Sequence, residues 1–124
     1  MILLLDTSTP TCKLTLDERT YDWEANRELT NGLLGFIEEK LSEAGAGFAD
    51  ISGIGVFKGP GSFTGLRIGI TVLNTIADAQ NIPIVGVTGE DWERQARERI
   101  AAGENDQLVL PFYGGEANIT KPRK

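Results

Sequence analysis

Two short runs in this sequence hold side chains and spacings that could do chemistry. The first is Gly59-Pro60-Gly61-Ser62-Phe63-Thr64-Gly65, which joins an apolar run ending at Phe57 to a long apolar-periodic segment. Glycines permit positive φ and close backbone approach, and Pro60 stiffens the turn. At a helix start, the N–H groups of Ser62, Phe63 and Thr64 could cradle an anion. The run lacks the lysine and the G-x-x-x-x-G-K-[ST] spacing of a Walker loop. The second is Asp6-Thr7-Ser8-Thr9. An acid ending a strand can orient hydrated Mg²⁺, with hydroxyls near the phosphates. A candidate phosphate site therefore comprises Asp6, Thr7, Ser8, Gly59, Gly61, Ser62 and Thr64. Each run also has a plainer reading. The glycines let a helix pack on a sheet, and Asp6-Thr7-Ser8-Thr9 closes an Asx- or ST-turn on its own backbone.

Composition narrows the chemistry. The 124 residues include no histidine, which removes the commonest general base and the commonest metal ligand together. Zinc would need carboxylates plus the lone Cys12, a poor set, so no metal is expected. One cysteine allows no internal disulfide and suits a reducing cytoplasm. Twelve basic residues against eighteen acidic ones give a net charge of −6, which repels phosphate backbones and argues against nucleic-acid binding by this chain alone. Lys121, Arg123 and Lys124 form a local basic exception that reads as a solvated chain end. No apolar run is long enough for a bilayer, and Met1-Ile2-Leu3-Leu4-Leu5 meets Asp6 at once, as a buried strand does and a signal peptide does not.

The elements that position these runs follow from periodicity. Residues 2–5 read as a strand, and Lys13–Leu16 and Thr20–Ala25 as two more in an antiparallel meander. A helix is expected from Thr30 to Ala44, because Leu29, Leu33, Ile37 and Leu41 recur every fourth residue. Thr30 or Asn31 can cap its start and Gly45 its end. Gly53–Phe57 is the next strand, followed by the glycine loop, a helix from Ser62 to Gln80 and a strand over Pro83–Val87. A last helix is expected from Thr88, with Asp91 in a capping-box arrangement, Glu90–Arg94 and Glu93–Arg97 pairs four apart, and Gly103 closing it. Gln107–Leu110 reads as a final strand. With no repeat or linker, residues 1–124 read as one domain with an extended tail over 111–124. The order implies an α/β fold, a mixed sheet with helices packed on it, as in an actin-like or ribonuclease-H-like lobe.

The helix over Ser62–Gln80 has two apolar sides. Leu66, Ile70, Leu73 and Ala77 make a stripe toward the sheet, while Gly65, Ile68, Gly69, Val72 and Ile76 fall elsewhere. Gly65 and Gly69, four apart, would admit a close neighbour. Burial inside the domain is one account of this second face, and a subunit interface is the other.

The string Gly59-Pro60-Gly61-Ser62-Phe63-Thr64-Gly65-Leu66-Arg67-Ile68-Gly69 resembles the signature of the bacterial TsaB (YeaZ) family. So do Ile2-Leu3-Leu4-Leu5-Asp6-Thr7-Ser8-Thr9 at the start and Leu110-Pro111-Phe112-Tyr113 with Asn118-Ile119-Thr120-Lys121 at the end. The resemblance covers roughly residues 1–102 and the tail. It implies an actin-like, non-catalytic scaffold for making N6-threonylcarbamoyladenosine in tRNA, paired with a TsaD-like catalytic paralogue and joined by a TsaE-like ATPase. Contact with tRNA is then expected only through the complex. The catalytic paralogue holds its metal with a histidine pair on the helix matching Thr30–Ala44, and this chain has none. By position, the implied interface is Leu33, Ile37, Gly65, Ile68, Gly69, Val72 and Ile76. The family carries a second lobe, whereas this sequence passes from its Trp92–Ala102 helix almost directly to the C-terminal motif. A minimal form is expected, in which one lobe alone cannot enclose a nucleotide and the phosphate-site residues are vestigial. Two alternatives stay open: a small actin-like ATPase or phosphotransferase using Asp6, Ser62 and Thr64, and a self-associating module forming a homodimer.

Overall fold

Alternating apolar residues and a tight turn build the first three strands: β1 (Ile2–Asp6), β2 (Thr11–Leu16) and β3 (Arg19–Glu24). The turn between β2 and β3 is Asp17-Glu18, with Asp17 at φ 55°, a left-handed conformation that Asp tolerates and tight hairpins favour. Asp17 also ties the turn to β1, its N–H donating to the Ile2 carbonyl at 2.9 Å and its carboxylate accepting the Ile2 N–H at 2.8 Å. The computed structural model describes residues 1–112. Tyr113, the Asn118–Lys121 motif, the basic residues Lys121, Arg123 and Lys124, and most of the expected 111–124 tail lie outside the described residues.

Two further strands, β4 (Gly53–Phe57) and β5 (Ile84–Val87), extend the sheet in parallel with β1, giving the order β3-β2-β1-β4-β5. Leu3 lies opposite Leu16 on one side and Ile54 on the other, and Ile54 lies opposite Ile84. Helices α1 (Leu29–Glu43) and α2 (Phe63–Gln80) cover one face, and α3 (Trp92–Ala101) covers the other. The two-residue period of β1 sends Leu3 and Leu5 into the α1–α2 core with Leu33, Ile37, Leu66 and Leu73, and Leu4 into the α3 core with Val85, Trp92 and Ala96. On the α3 face Gly55 is required, because a Cβ there would lie 2.6 Å from that of Ala96. No described helix is long and apolar enough to cross a membrane.

The mixed α/β sheet matches the expectation, and four local details differ. The helix expected to begin at a Thr30 or Asn31 cap starts at Leu29, because a 3₁₀ turn over Asn26–Glu28 leads straight into it. Its C-terminus ends as Gly45 requires, at φ 75°, with the Ala46 N–H donating to the Leu41 carbonyl at 2.8 Å. The last helix begins at Trp92, not Thr88, so Glu90 lies outside it. The pairs expected there are replaced: Arg94 bonds Asp91 and Glu98, and Arg97 reaches the Asp17 carbonyl. Residues 107–110 are not a strand. Gln107 sits at φ 68°, and the side chain of Asn74 holds Val109 at both backbone groups, accepting its N–H at 3.0 Å and donating to its carbonyl at 2.9 Å.

Candidate functional site

The two runs singled out by residue type meet at the carboxyl ends of β1 and β4. These strands are neighbours, and the chain leaves β1 toward one edge of the sheet and β4 toward the other. In open α/β sheets such a switch point opens a crevice that commonly receives ligands. Here the two runs bond to each other across it. The Asp6 carboxylate accepts the Ser8 N–H at 2.8 Å, an Asx-turn, and the Ser8 carbonyl accepts the Ser62 N–H at 2.8 Å. Buried Thr7 donates its hydroxyl to the Gly65 carbonyl at 2.7 Å. Ser62 caps α2, its hydroxyl accepting the Gly65 N–H at 3.3 Å. One donor needed for an anion cradle, Ser62 N–H, is therefore already engaged.

The glycine spacing records these contacts. A Cβ on Gly61 would lie 2.4 Å from that of Ser8, and one on Gly65 would lie 2.3 Å from the Thr7 carbonyl oxygen. On Gly69 it would lie 2.3 Å from the Thr7 hydroxyl. The close neighbour that Gly65 and Gly69 admit is thus the β1–β2 loop of the same chain. Gly59, at φ 123°, faces the Phe112 carbonyl, while the Phe112 N–H donates to the Lys58 carbonyl at 2.6 Å. The sequence quoted Phe112 only as part of a terminal motif and gave no sign that it closes on the loop. Thr64 is exposed and lines, with Ser62, Ile68 and Arg27, an open cleft of about 620 Å³ toward the end of β3. Among the described residues no three His, Cys, Asp or Glu side chains are grouped to hold a metal ion.

The interface set divides on burial. Leu33 and Ile37 are fully buried and Ile76 nearly so, within the chain's own core rather than at its surface. Gly65 and Gly69 are taken by Thr7, as above. Ile68 and Val72 alone of that set remain half-exposed as apolar side chains. Beside them lie residues the helical stripe did not select: Leu34, 49% exposed on α1, and Phe63, 54% exposed at the head of α2. The Arg67 guanidinium stands 5.3 Å from the Phe63 ring centroid. Phe63, Ile68 and Val72 line, with Thr30 of α1, a shallow hollow of about 430 Å³ on the α1–α2 surface. The signal for exposed Leu34 was present, since it flanks the buried stripe at helical spacing.

Cys12 takes no part in either region. Burial above all, and then the charges of Asp6 and Asp22, push its thiol up to about 12.

With this geometry in hand, comparison with known proteins is specific. The family model for TsaD, tRNA N6-adenosine threonylcarbamoyltransferase, matches residues 23–114. The tRNA threonylcarbamoyladenosine biosynthesis protein TsaB of Escherichia coli is 34% identical over 122 residues, covering 90% of this chain and 53% of that protein. Its counterpart in Haemophilus influenzae is 32% identical over 108 residues, covering 84% of this chain and 46% of that protein. The chain thus spans about half the length of the curated relatives it matches. The solved structure of YeaZ from Pseudomonas aeruginosa superposes with a TM-score of 0.65 at 32% identity, over 82% of this chain and 49% of that one. The shared architecture is an actin-like α/β lobe.

Proposed function

Since this chain belongs to the TsaB (YeaZ) branch of the TsaD family, we propose that it serves tRNA threonylcarbamoyladenosine biosynthesis as a non-catalytic scaffold. It binds a TsaD-like catalytic paralogue, with a TsaE-like ATPase joining the assembly and tRNA reached only through the complex in the cytoplasm. The observation that supports this most is the surface hollow on α1 and α2 where the apolar side chains of Phe63, Ile68 and Val72 reach solvent. An apolar hollow of that kind on a small acidic lobe favours burial against another protein. The absence of histidine from the sequence and the engagement of Asp6, Ser8 and Ser62 with one another support a scaffolding role over an ATPase or phosphotransferase.

The test is co-expression with the TsaD-like protein of the same source, followed by size-exclusion chromatography with light scattering. Co-elution as a defined complex is expected. Ile68→Arg and Val72→Arg are expected to abolish it while leaving circular dichroism unchanged, because both side chains already reach solvent. Gly69→Arg is unsuitable, since it would drive into Thr7 and unfold the loop. Separate elution of the unmodified proteins would overturn the reading.

A further inference from the structure

Five large apolar side chains are exposed among the described residues, and three of them, Leu108, Leu110 and Phe112, fall on alternate residues of the segment that follows α3. What lies between them fixes that arrangement. Val109 is buried in the α1–α2 core against Gly86 of β5, while Leu108 and Leu110 on either side of it are 61% and 68% exposed. The segment is held along its length. The Asp106 carboxylate accepts the Gly86 N–H at 2.8 Å, Asn74 of α2 bonds both backbone groups of Val109, and the Phe112 N–H donates to the Lys58 carbonyl at 2.6 Å. Two leucines are thus presented to solvent on fixed backbone, so burying them against another chain costs little ordering.

Between this segment and α2 lies a hollow of about 530 Å³, lined by Leu108, Leu110 and buried Ile70. Arg67 and Thr71 of α2 line it too, and the same two residues line the hollow over Phe63, Ile68 and Val72. The two hollows therefore flank one ridge of α2 and form a continuous surface. A specific protein interface needs about 800 Å² from each partner. Three side chains in one shallow hollow supply only part of that, and the second hollow is the apolar surface that adjoins them.

We propose that Leu108 and Leu110 form a second arm of the partner interface, so that the TsaD-like protein straddles α2 and seats apolar side chains in both hollows. This rests on the partner reading given above. The partner also presents a carboxylate to the ridge, because Arg67 stands between the hollows and pairs with no carboxylate among the described residues.

Isothermal titration of the intact chain with the purified TsaD-like protein tests this. Leu108→Ser and Leu110→Ser should each raise the dissociation constant about tenfold. Thermal unfolding of the chain alone should not move, since both side chains already reach solvent. Leu110→Cys gives a direct readout: its maleimide labelling should slow about tenfold in the complex, with native Cys12, 1% exposed, staying out of the reaction. An unmodified chain that does not bind fails the partner reading itself, and this proposal with it. Binding unmoved by either serine variant, with Leu110→Cys labelled equally fast in the complex, overturns the proposal alone. So does a chain that pairs with itself and loses that pairing, but not the partner, in Leu110→Ser.

Discussion

At one edge of the sheet, the backbone of β5 is answered by side chains of the segment that follows α3. The Ile84 N–H donates to the Asn105 side chain at 3.1 Å and the Gly86 N–H to the Asp106 carboxylate at 2.8 Å. Asp106 is held in turn by Arg99 at 2.5 Å, and Asn74 of α2 grips Val109. At the other edge, no other strand among the described residues pairs with the outer side of β3, which carries the exposed side chains of Arg19, Asp22 and Glu24. A sheet edge can therefore be closed without a strand, by polar side chains placed opposite the free N–H groups. Charged residues on a bare edge only select which neighbour can pair there.

The sharpest way to break this contrast is a proline at each edge. Gly86→Pro removes the N–H that Asp106 accepts and places atoms where Val109 already stands, 2.5 Å from a Cβ at that position. A loss of more than about 3 kcal/mol in denaturant unfolding is expected. Asn74→Ala comes next, since it leaves both backbone groups of Val109 without their partner in a part-buried place. It should cost about 1–3 kcal/mol by the same measurement.

Acid sharpens the comparison from a different side. Burial works to raise the Asp106 pKa, but the Gly86 N–H and then Arg99 outweigh it, holding the carboxyl below its ordinary 3.8. A depressed folded-state pKa contributes stability that is fully present above 3.8 and lost as pH falls through the folded value. Acid unfolding should therefore flatten in Asp106→Asn relative to the unmodified chain below pH 3.8, and coincide more closely with it at lower pH. The smallest effect belongs to the bare edge. Thr20→Pro, whose N–H points away from β2, should change stability by less than about 1 kcal/mol in denaturant unfolding.

The sequence revealed those parts of the fold whose hydrogen bonds are local or periodic. The every-fourth-residue apolar positions of α1 and the unbroken apolar run Ile2-Leu3-Leu4-Leu5 were sufficient for the helix and the first strand. The 105–112 segment was not legible, because its order comes from single side chains such as Asn74, 35 residues from Val109. The start of α3 was misplaced for a related reason: Gly89 turns at φ 99°, and the Asp91 carboxylate is drawn to Gln95 and Arg94 instead of capping the backbone. At the candidate site, the glycines announced close contact but not with what. Thr7 lies 58 residues from the Gly65 carbonyl it bonds, a separation no local pattern encodes. Helical spacing found the apolar stripe of α2, yet only packing shows that Ile76 is buried and Ile68 reaches the surface.

Cys12 gives the α1-covered face of the sheet a built-in clock. It stands on β2 opposite Trp23 of β3, buried, with its thiol pushed up to about 12. So raised, the thiol is held in its unreactive protonated form at neutral pH while it stays buried. Cys12 packs in the core beneath α1, so alkylation should wait until that packing opens and the thiol regains ordinary reactivity. The labelling rate thus counts opening events of the core between α1 and the β2–β3 hairpin.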